Sequence, residues 1–311
     1  MDLRQLRYFV QIVDSGSLAK ASRQLFIAQP ALSQQLAKLE AEVGRPLLVR
    51  TSKGVTPTDN GAALADHARF MLRQLDQALS IARRDPGTLQ GMVSVGLAAT
   101  TVGAVGVPLV RRIREKFPGI VLNVVEGMSG HLAHMMQLGQ LDLSILFSRD
   151  AIADLPAEPL VAEELFVIVP VGSKLLAPRR NRLTLADAAQ MPLILPTSIH
   201  GLRRRIKAEF EQRNLAMNVV AEIDSLSLLM ACVRGGMGAT IKPMAAALIG
   251  GEMASHWRCL GFSDAQMSRT NYLYSMGPDR LSPAAAAVRD ELRATVRELV
   301  GTRTWKGVEL I

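Results

Sequence analysis

The spacing of apolar residues changes once along the chain, near Met92, and that change most limits the fold. Before it, apolar side chains recur at steps of three and four, the period of helices. After it, short apolar runs alternate with helical stretches, the pattern of an α/β unit. A chain of 311 residues has room for two or three compact units. The first ninety residues therefore predict a small helical unit, and the remainder a larger α/β one.

Leu3, Leu6, Phe9, Val10 and Val13 predict a helix over 3–14 that stops at Ser15-Gly16. Ser17 is a good cap for a second helix carrying Leu18, Ala21 and Leu25 inward. After the turn at Phe26-Ile27-Ala28, Pro30 sits where a helix's first turn tolerates proline. Leu32, Leu36, Leu39 and Val43 form the inner stripe of this third helix. Its other face carries Pro30, Gln34, Ala37 and Ala41, flanked by Gln29, Ser33 and Lys38. A narrow face with amides, a hydroxyl and small alanines can enter a major groove, where Gln pairs with adenine and Ser with several base edges. Alone, such a face is also what an ordinary solvated helix looks like.

Its surroundings favour the groove. Leu47–Thr51 and Val55–Pro57 read as two short strands joined at Ser52-Lys53-Gly54, so Arg50 and Lys53 reach towards phosphate or the minor groove. Helices followed by a basic-tipped hairpin make a winged helix-turn-helix, here residues 1–58. Charge agrees: residues 1–90 hold 12 Lys/Arg against 8 Asp/Glu, half of the chain's net +8 in under a third of its length. A long helix follows over 59–88, capped by Thr58. Gly61, Leu64, Ala68, Met71, Leu75, Ala78 and Ala82 repeat every 3.5 residues, a seam that requires a partner helix, most simply from a second subunit.

These blocks resemble the LysR-type transcriptional regulators. The resemblance rests on Leu3–Phe9, Gly16–Ser22, Gln29–Gln35 and Leu39-Glu40, continued by Pro46–Arg50 and Thr56–Gly61. Where the family usually has phenylalanine near position 48, this chain has Leu48, a departure at a packing position. The expected DNA contacts are Ser17, Gln29, Pro30, Ser33, Gln34, Lys38, Arg50 and Lys53, and pairing through the seam would present two such sets to a two-fold symmetric duplex site. The resemblance further implies a dimer of dimers, and RNA polymerase stands as a candidate partner.

From Met92 the strand signals are Val93–Leu97, Ile120–Val125 and Leu141–Leu146, with helices at Val105–Phe117 and His131–Leu138 between them. The order recurs with strands at Leu193–Leu195, Asn218–Ala221 and Gly238–Ile241 and helices from Leu202 to Arg213 and from Ser225 to Arg234. Two such units predict two lobes with parallel-rich sheets, 91–162 with 268–300 and 163–267. The chain crosses near Phe166–Val169 and returns near Thr270–Tyr274, and the last helix packs back on the first lobe. Ligands bind open α/β sheets at the carboxyl ends of the strands. There lie Thr100, Thr101, Ser129, Thr197, Ser198 and His200, with Phe147 at the end of the third strand. Hydroxyls and free amides at helix starts suit an organic anion such as an aromatic carboxylate or sulfonate, although they also suit plain helix caps. The weaker resemblance here, carried by Phe117-Pro118-Gly119, Gly139–Leu143 and Gly235–Gly238, implies a two-lobed inducer domain like the periplasmic binding proteins, with Thr100 and Ser129 touching the inducer.

Two rivals compete. An enzyme lacks support: no nucleophile elbow or phosphate loop is present, and His131 and His134 lack a third ligand, so no metal or cofactor is expected. Arg203-Arg204-Arg205 reads as a solvated helix face. A solute-binding protein requires export, but no signal peptide pattern opens the chain and no apolar run reaches the roughly 18 residues of a membrane span. Cys232 and Cys259 are too few for a disulfide framework. The expectation is a cytoplasmic, DNA-binding regulator that senses a small molecule.

Overall fold

In the computed structural model, residues 1–51, 54–82, 89–177, 180–251, 256–277 and 280–311 are described, those at 76, 77, 80–82 and 248–251 by backbone alone. The chain divides into two compact units, the second starting at Leu89.

The first unit opens with α1 (Leu3–Ser15), where Asp2 and Gln5 cap each other reciprocally and Gly16 closes the helix at φ +64°. Ser17 caps α2 (Leu18–Leu25). α3 (Gln29–Val43) buries Leu32, Leu36 and Leu39 and takes Pro30 in its first turn. The hairpin of β1 (Leu48–Thr51) and β2 (Gly54–Pro57) pairs antiparallel from Leu48↔Pro57 to Thr51↔Gly54. Glu40 on α3 holds the start of this wing, accepting the N–H groups of Leu47 at 2.8 Å and Leu48 at 3.3 Å. Leu48 is buried in the shared core with Phe9, Ile12 and Leu36, so the smaller side chain still fills its packing position.

α4 (Asp59–Ala82) starts on the Thr58 hydroxyl, which accepts the Gly61 N–H at 3.0 Å. A Cβ at Gly61 would lie 1.8 Å from the Leu47 carbonyl oxygen, so only glycine lets helix and wing approach this closely. Here the structure corrects the seam. Gly61, Ala65 and Ala68 are buried, and Ala65 belongs to the unit's own core. The first turns of α4 are thus spent inside the subunit; Met71, Leu72 and Leu75 are half-buried, and Ala78 and Leu79 are exposed.

In the second unit, β3 (Gly91–Leu97) lies between β4 (Ile120–Glu126) and β5 (Leu143–Leu146), all parallel. The helix after β3 starts earlier than its periodicity indicates: a turn, α5 (Ala99–Thr101), runs through a π-helical stretch, Val102–Gly106, into α6 (Val107–Lys116). Pro108 has no N–H to donate to the Ala104 carbonyl, and the wider π turn carries the chain past that gap. α7 (Ser129–Gln137) precedes β5. The crossing strand β6 (Ala157–Pro170) is a single 14-residue strand rather than the four-residue segment the sequence indicates. Then follow β7 (Arg182–Leu183), α8 (Leu185–Gln190), β8 (Leu193–Leu195), α9 (Gly201–Glu211), β9 (Val219–Glu222), α10 (Leu226–Arg234) and β10 (Thr240–Pro243). A 3₁₀ stretch (Met244–Gly251), β11 (Trp257–Phe262), β12 (Ser268–Ser275), α11 (Pro283–Gly301) and β13 (Val308–Leu310) complete the chain.

The sheets are less parallel than the paired-unit reading implies. β6 is antiparallel to β10, β11, β12 and β13, while β3–β4, β3–β5, β7–β11 and β8–β9 are parallel. Both halves hang on β6: its first part pairs with β12 and its last part with β10 and β11. One core packs α6 and α11 against β3 and β5, and another surrounds Leu165, Leu193, Ile206 and Phe210.

Candidate functional site

In the first unit, Gln29, Pro30, Gln34 and Lys38 are exposed along α3, as a groove-reading face must be. Ser33 is half-buried, and its hydroxyl accepts the Arg50 guanidinium at 3.3 Å, which ties the wing to this helix. Ser17 is occupied as a cap, accepting the Lys20 N–H at 3.4 Å. Lys53 lies outside the described residues. The start of α3 has no side-chain cap, because Ala28 stands at that position. The first-turn N–H groups of Gln29 and Ala31 thus receive no side-chain cap, and Pro30 has no N–H.

In the second unit, the segment after β5 together with α7, α9 and β12 lines a cavity of about 960 Å³. Ser129, Phe147 and His200 line it, as the sequence indicates, together with Arg269 and Thr270 from β12. Arg269 is 8% exposed and most tightly held. Its Nε and Nη2 donate to Glu163 at 2.8 and 2.6 Å, and Nη2 also donates to the Thr100 hydroxyl at 2.8 Å. Its guanidinium carbon sits 3.7 Å from the centre of the Phe147 ring, a cation–π contact. Glu163, 1% exposed, also accepts the Trp305 indole N–H at 3.3 Å. The hydrogen bonds of Arg269 seen among the described residues run through Nε and Nη2, and the residue lines the cavity.

The other sequence candidates stand behind or beside this wall. Thr100 is buried behind Arg269, and Thr101 is fully buried with its hydroxyl unpaired. Thr197 is bound to Asp224 through both its N–H, at 3.0 Å, and its hydroxyl, at 3.0 Å. Ser198 is exposed and is not part of the lining. His200 caps α9, its Nδ1 accepting the Leu202 N–H at 3.3 Å, which places the proton of the neutral ring on Nε2. Burial and the charge of Lys242 push His200 down to about 4, so the ring is neutral near pH 7. Lys242 is itself brought down to about 8 by burial and by Arg269, with Asp224 opposing.

The Arg203–Arg205 run is not a uniformly solvated face. Arg204 and Arg205 line the cavity, while Arg203 is half-buried against Met217 and lies 3.7 Å from Glu222. His131 and His134 line the cavity too, and among the described residues no group of three or more His, Cys, Asp or Glu is placed to hold a metal. Sequence reasoning missed Arg269, Glu163 and Lys242. The available signal was a single charge inside an otherwise apolar strand, as in Ala239-Thr240-Ile241-Lys242-Pro243.

Comparison with known proteins covers both units. Residues 3–62 match the profile of the bacterial regulatory helix-turn-helix protein, lysR family, and residues 86–297 match the LysR substrate binding domain. The chain belongs to the LysR family. The Nitrogen assimilation regulatory protein nac of Klebsiella aerogenes is 39% identical to this LysR protein over 297 residues, 95% of each chain. The nac protein of Escherichia coli K12 is 36% identical over 98% of this chain and 99% of its own. Among solved structures, CbnR, a LysR family transcriptional regulator, has a TM-score of 0.72 at 18% identity, covering 95% of this chain and 99% of its own. A point mutant of full-length OxyR from Pseudomonas aeruginosa has 0.71 at 21%, covering 96% and 95%. The LysR protein is therefore a DNA-binding transcription regulator with an inducer-binding domain, and its fold is that of these regulators. Among the described residues no helix is long and apolar enough to cross a membrane.

Proposed function

We propose that this LysR-type regulator is controlled by a small organic anion, an aromatic carboxylate or sulfonate, bound in the cavity beside Arg269. The carrying observation is the guanidinium itself: nearly buried, fixed by Glu163 and Thr100, on a residue that lines the cavity. An acid group on the Arg269 guanidinium gains a charge-assisted hydrogen bond, and the neutral His200 offers a second donor at the start of α9. Ser129 and Thr270 supply hydroxyls around it. Differential scanning of the full chain with benzoate, benzenesulfonate and benzamide tests the charge requirement. The two acids are expected to raise the melting temperature and the amide to leave it unchanged. An equal shift with all three would remove the anion from the proposal.

Binding of this kind acts on DNA only if it favours one assembly over another. The proposed assembly pairs α4 helices from two subunits and places two copies of α3 on one face of a two-fold symmetric site. The identity with the nac proteins makes genes of nitrogen assimilation the first targets to examine, by comparing transcripts with and without this regulator under nitrogen limitation.

A further inference from the structure

The turn between α2 and α3 carries two unfavourable features at one residue. Phe26 is 95% exposed, the most exposed large apolar side chain among the described residues. It also holds φ +56°, in the left-handed region that favours glycine or asparagine. The hydrogen bonds explain the conformation. The Phe26 N–H reaches the Arg23 carbonyl at 3.3 Å, and the Ile27 N–H reaches back to Ser22 at 3.0 Å. This is the six-to-one closure of a Schellman motif, in which Phe26 occupies the glycine position. The fold therefore requires the backbone shape at 26 but has no use for the ring.

A bulky ring there strains the backbone and exposes apolar surface to water, with no compensating contact inside the chain. Its location indicates what does compensate. Phe26 lies three residues before Gln29, within roughly 10 Å of chain, and next to the uncapped N-terminus of α3. That helix start belongs to the family's helix-turn-helix, and its N–H groups without a side-chain cap suit a backbone phosphate. Arg23, also exposed, lies one helix turn away on α2 and adds positive charge. The interface with DNA thus continues across the turn.

We infer that Phe26 is a DNA-contacting residue, its ring packing on the deoxyribose next to the phosphate held by the start of α3. The contact is apolar and adds affinity without adding charge. It does not depend on the ligand proposed above.

Two substitutions separate this role from a merely exposed residue. Phe26→Asn suits the left-handed conformation and deletes the ring, while Phe26→Tyr keeps the ring. The probe is a duplex enriched by the wild-type chain from a random 20-base-pair pool, followed by fluorescence anisotropy over a salt series. Phe26→Asn is expected to raise the urea midpoint and weaken DNA binding about tenfold, roughly the worth of one buried aromatic contact. The slope of affinity against salt should stay at the wild-type value, because no phosphate-neutralising charge is lost. Phe26→Tyr should bind as wild type. A raised urea midpoint with unchanged affinity in Phe26→Asn would overturn the inference, and so would equal loss in Phe26→Tyr. A lower midpoint would show that the ring packs within the fold. A changed sedimentation coefficient would assign the ring to contact between copies of the chain. Either result also sinks the DNA contact.

Discussion

Lys242 places a charge where the fold gains least from it. It is 6% exposed on β10, faces the like charge of Arg269 and has Asp224 as its opposing charge. Its folded pKa of about 8 lies below the ordinary 10.5, so the unfolded chain holds the extra proton between those values. Stability therefore rises with pH across that window, and below it the buried ammonium carries its full cost. Lys242→Met should stabilise the protein near pH 7 by about 1–3 kcal/mol and flatten the pH profile above 8, as thermal unfolding at a series of pH values will show. An unflattened profile would assign the pH dependence to other groups. Thr100 makes a different kind of contribution. Its hydroxyl accepts from Arg269 rather than lining the cavity, so Thr100→Val removes a positioning contact at nearly constant volume. Calorimetry with an acid identified by thermal shift should find binding weakened by about 1 kcal/mol, with DNA affinity intact. Unchanged affinity would show that Arg269 needs no help from Thr100.

At the scale of elements, α3 and its wing act as one reading head, joined by Glu40 to the Leu47 and Leu48 amides and by Arg50 to Ser33. Gln34 stands exposed on that head. Gln34→Ala is expected to cost on the order of 1–3 kcal/mol at a selected site and to relax one base preference, while replacing Lys53 weakens all sequences about equally. Anisotropy on a panel of single-base variants of the site distinguishes the two patterns, and a Gln34→Ala protein with wild-type preferences would rule out this face of the helix.

The helices and wing were legible in the sequence because their signals are local: leucine steps of three and four, Ser17 as a cap, and the short apolar runs that become β1 and β2. The cavity was legible only in outline. Ser129, Phe147 and His200 sit next to strand ends and could be placed by topology. Arg269 and Glu163 meet only because β6 and β12 pair antiparallel at that register, 106 positions apart in sequence. No local pattern encodes such a contact. The π-helical stretch before α6 escaped for the opposite reason: Pro108 was in view, but proline near a helix start normally causes no irregularity.

For the whole molecule, the decisive element is α4. Its early apolar positions, Gly61, Ala65 and Ala68, are buried in the subunit, so the proposed pairing between subunits would rest on the later ones, with Leu75 and Leu79 central. Leu75→Glu should shift the sedimenting species towards monomer and lower affinity for a two-fold symmetric duplex far more than for a half-site. A mutant that sediments as wild type would move the pairing elsewhere. Gly61 sets how closely the wing meets that helix. With the Leu47 carbonyl where a methyl group would have to go, wing and α4 are packed in direct backbone contact. Operator geometry then becomes a portable property: a chimera joining residues 1–82 to another regulator's sensing half would keep this protein's half-site spacing while answering to a foreign signal.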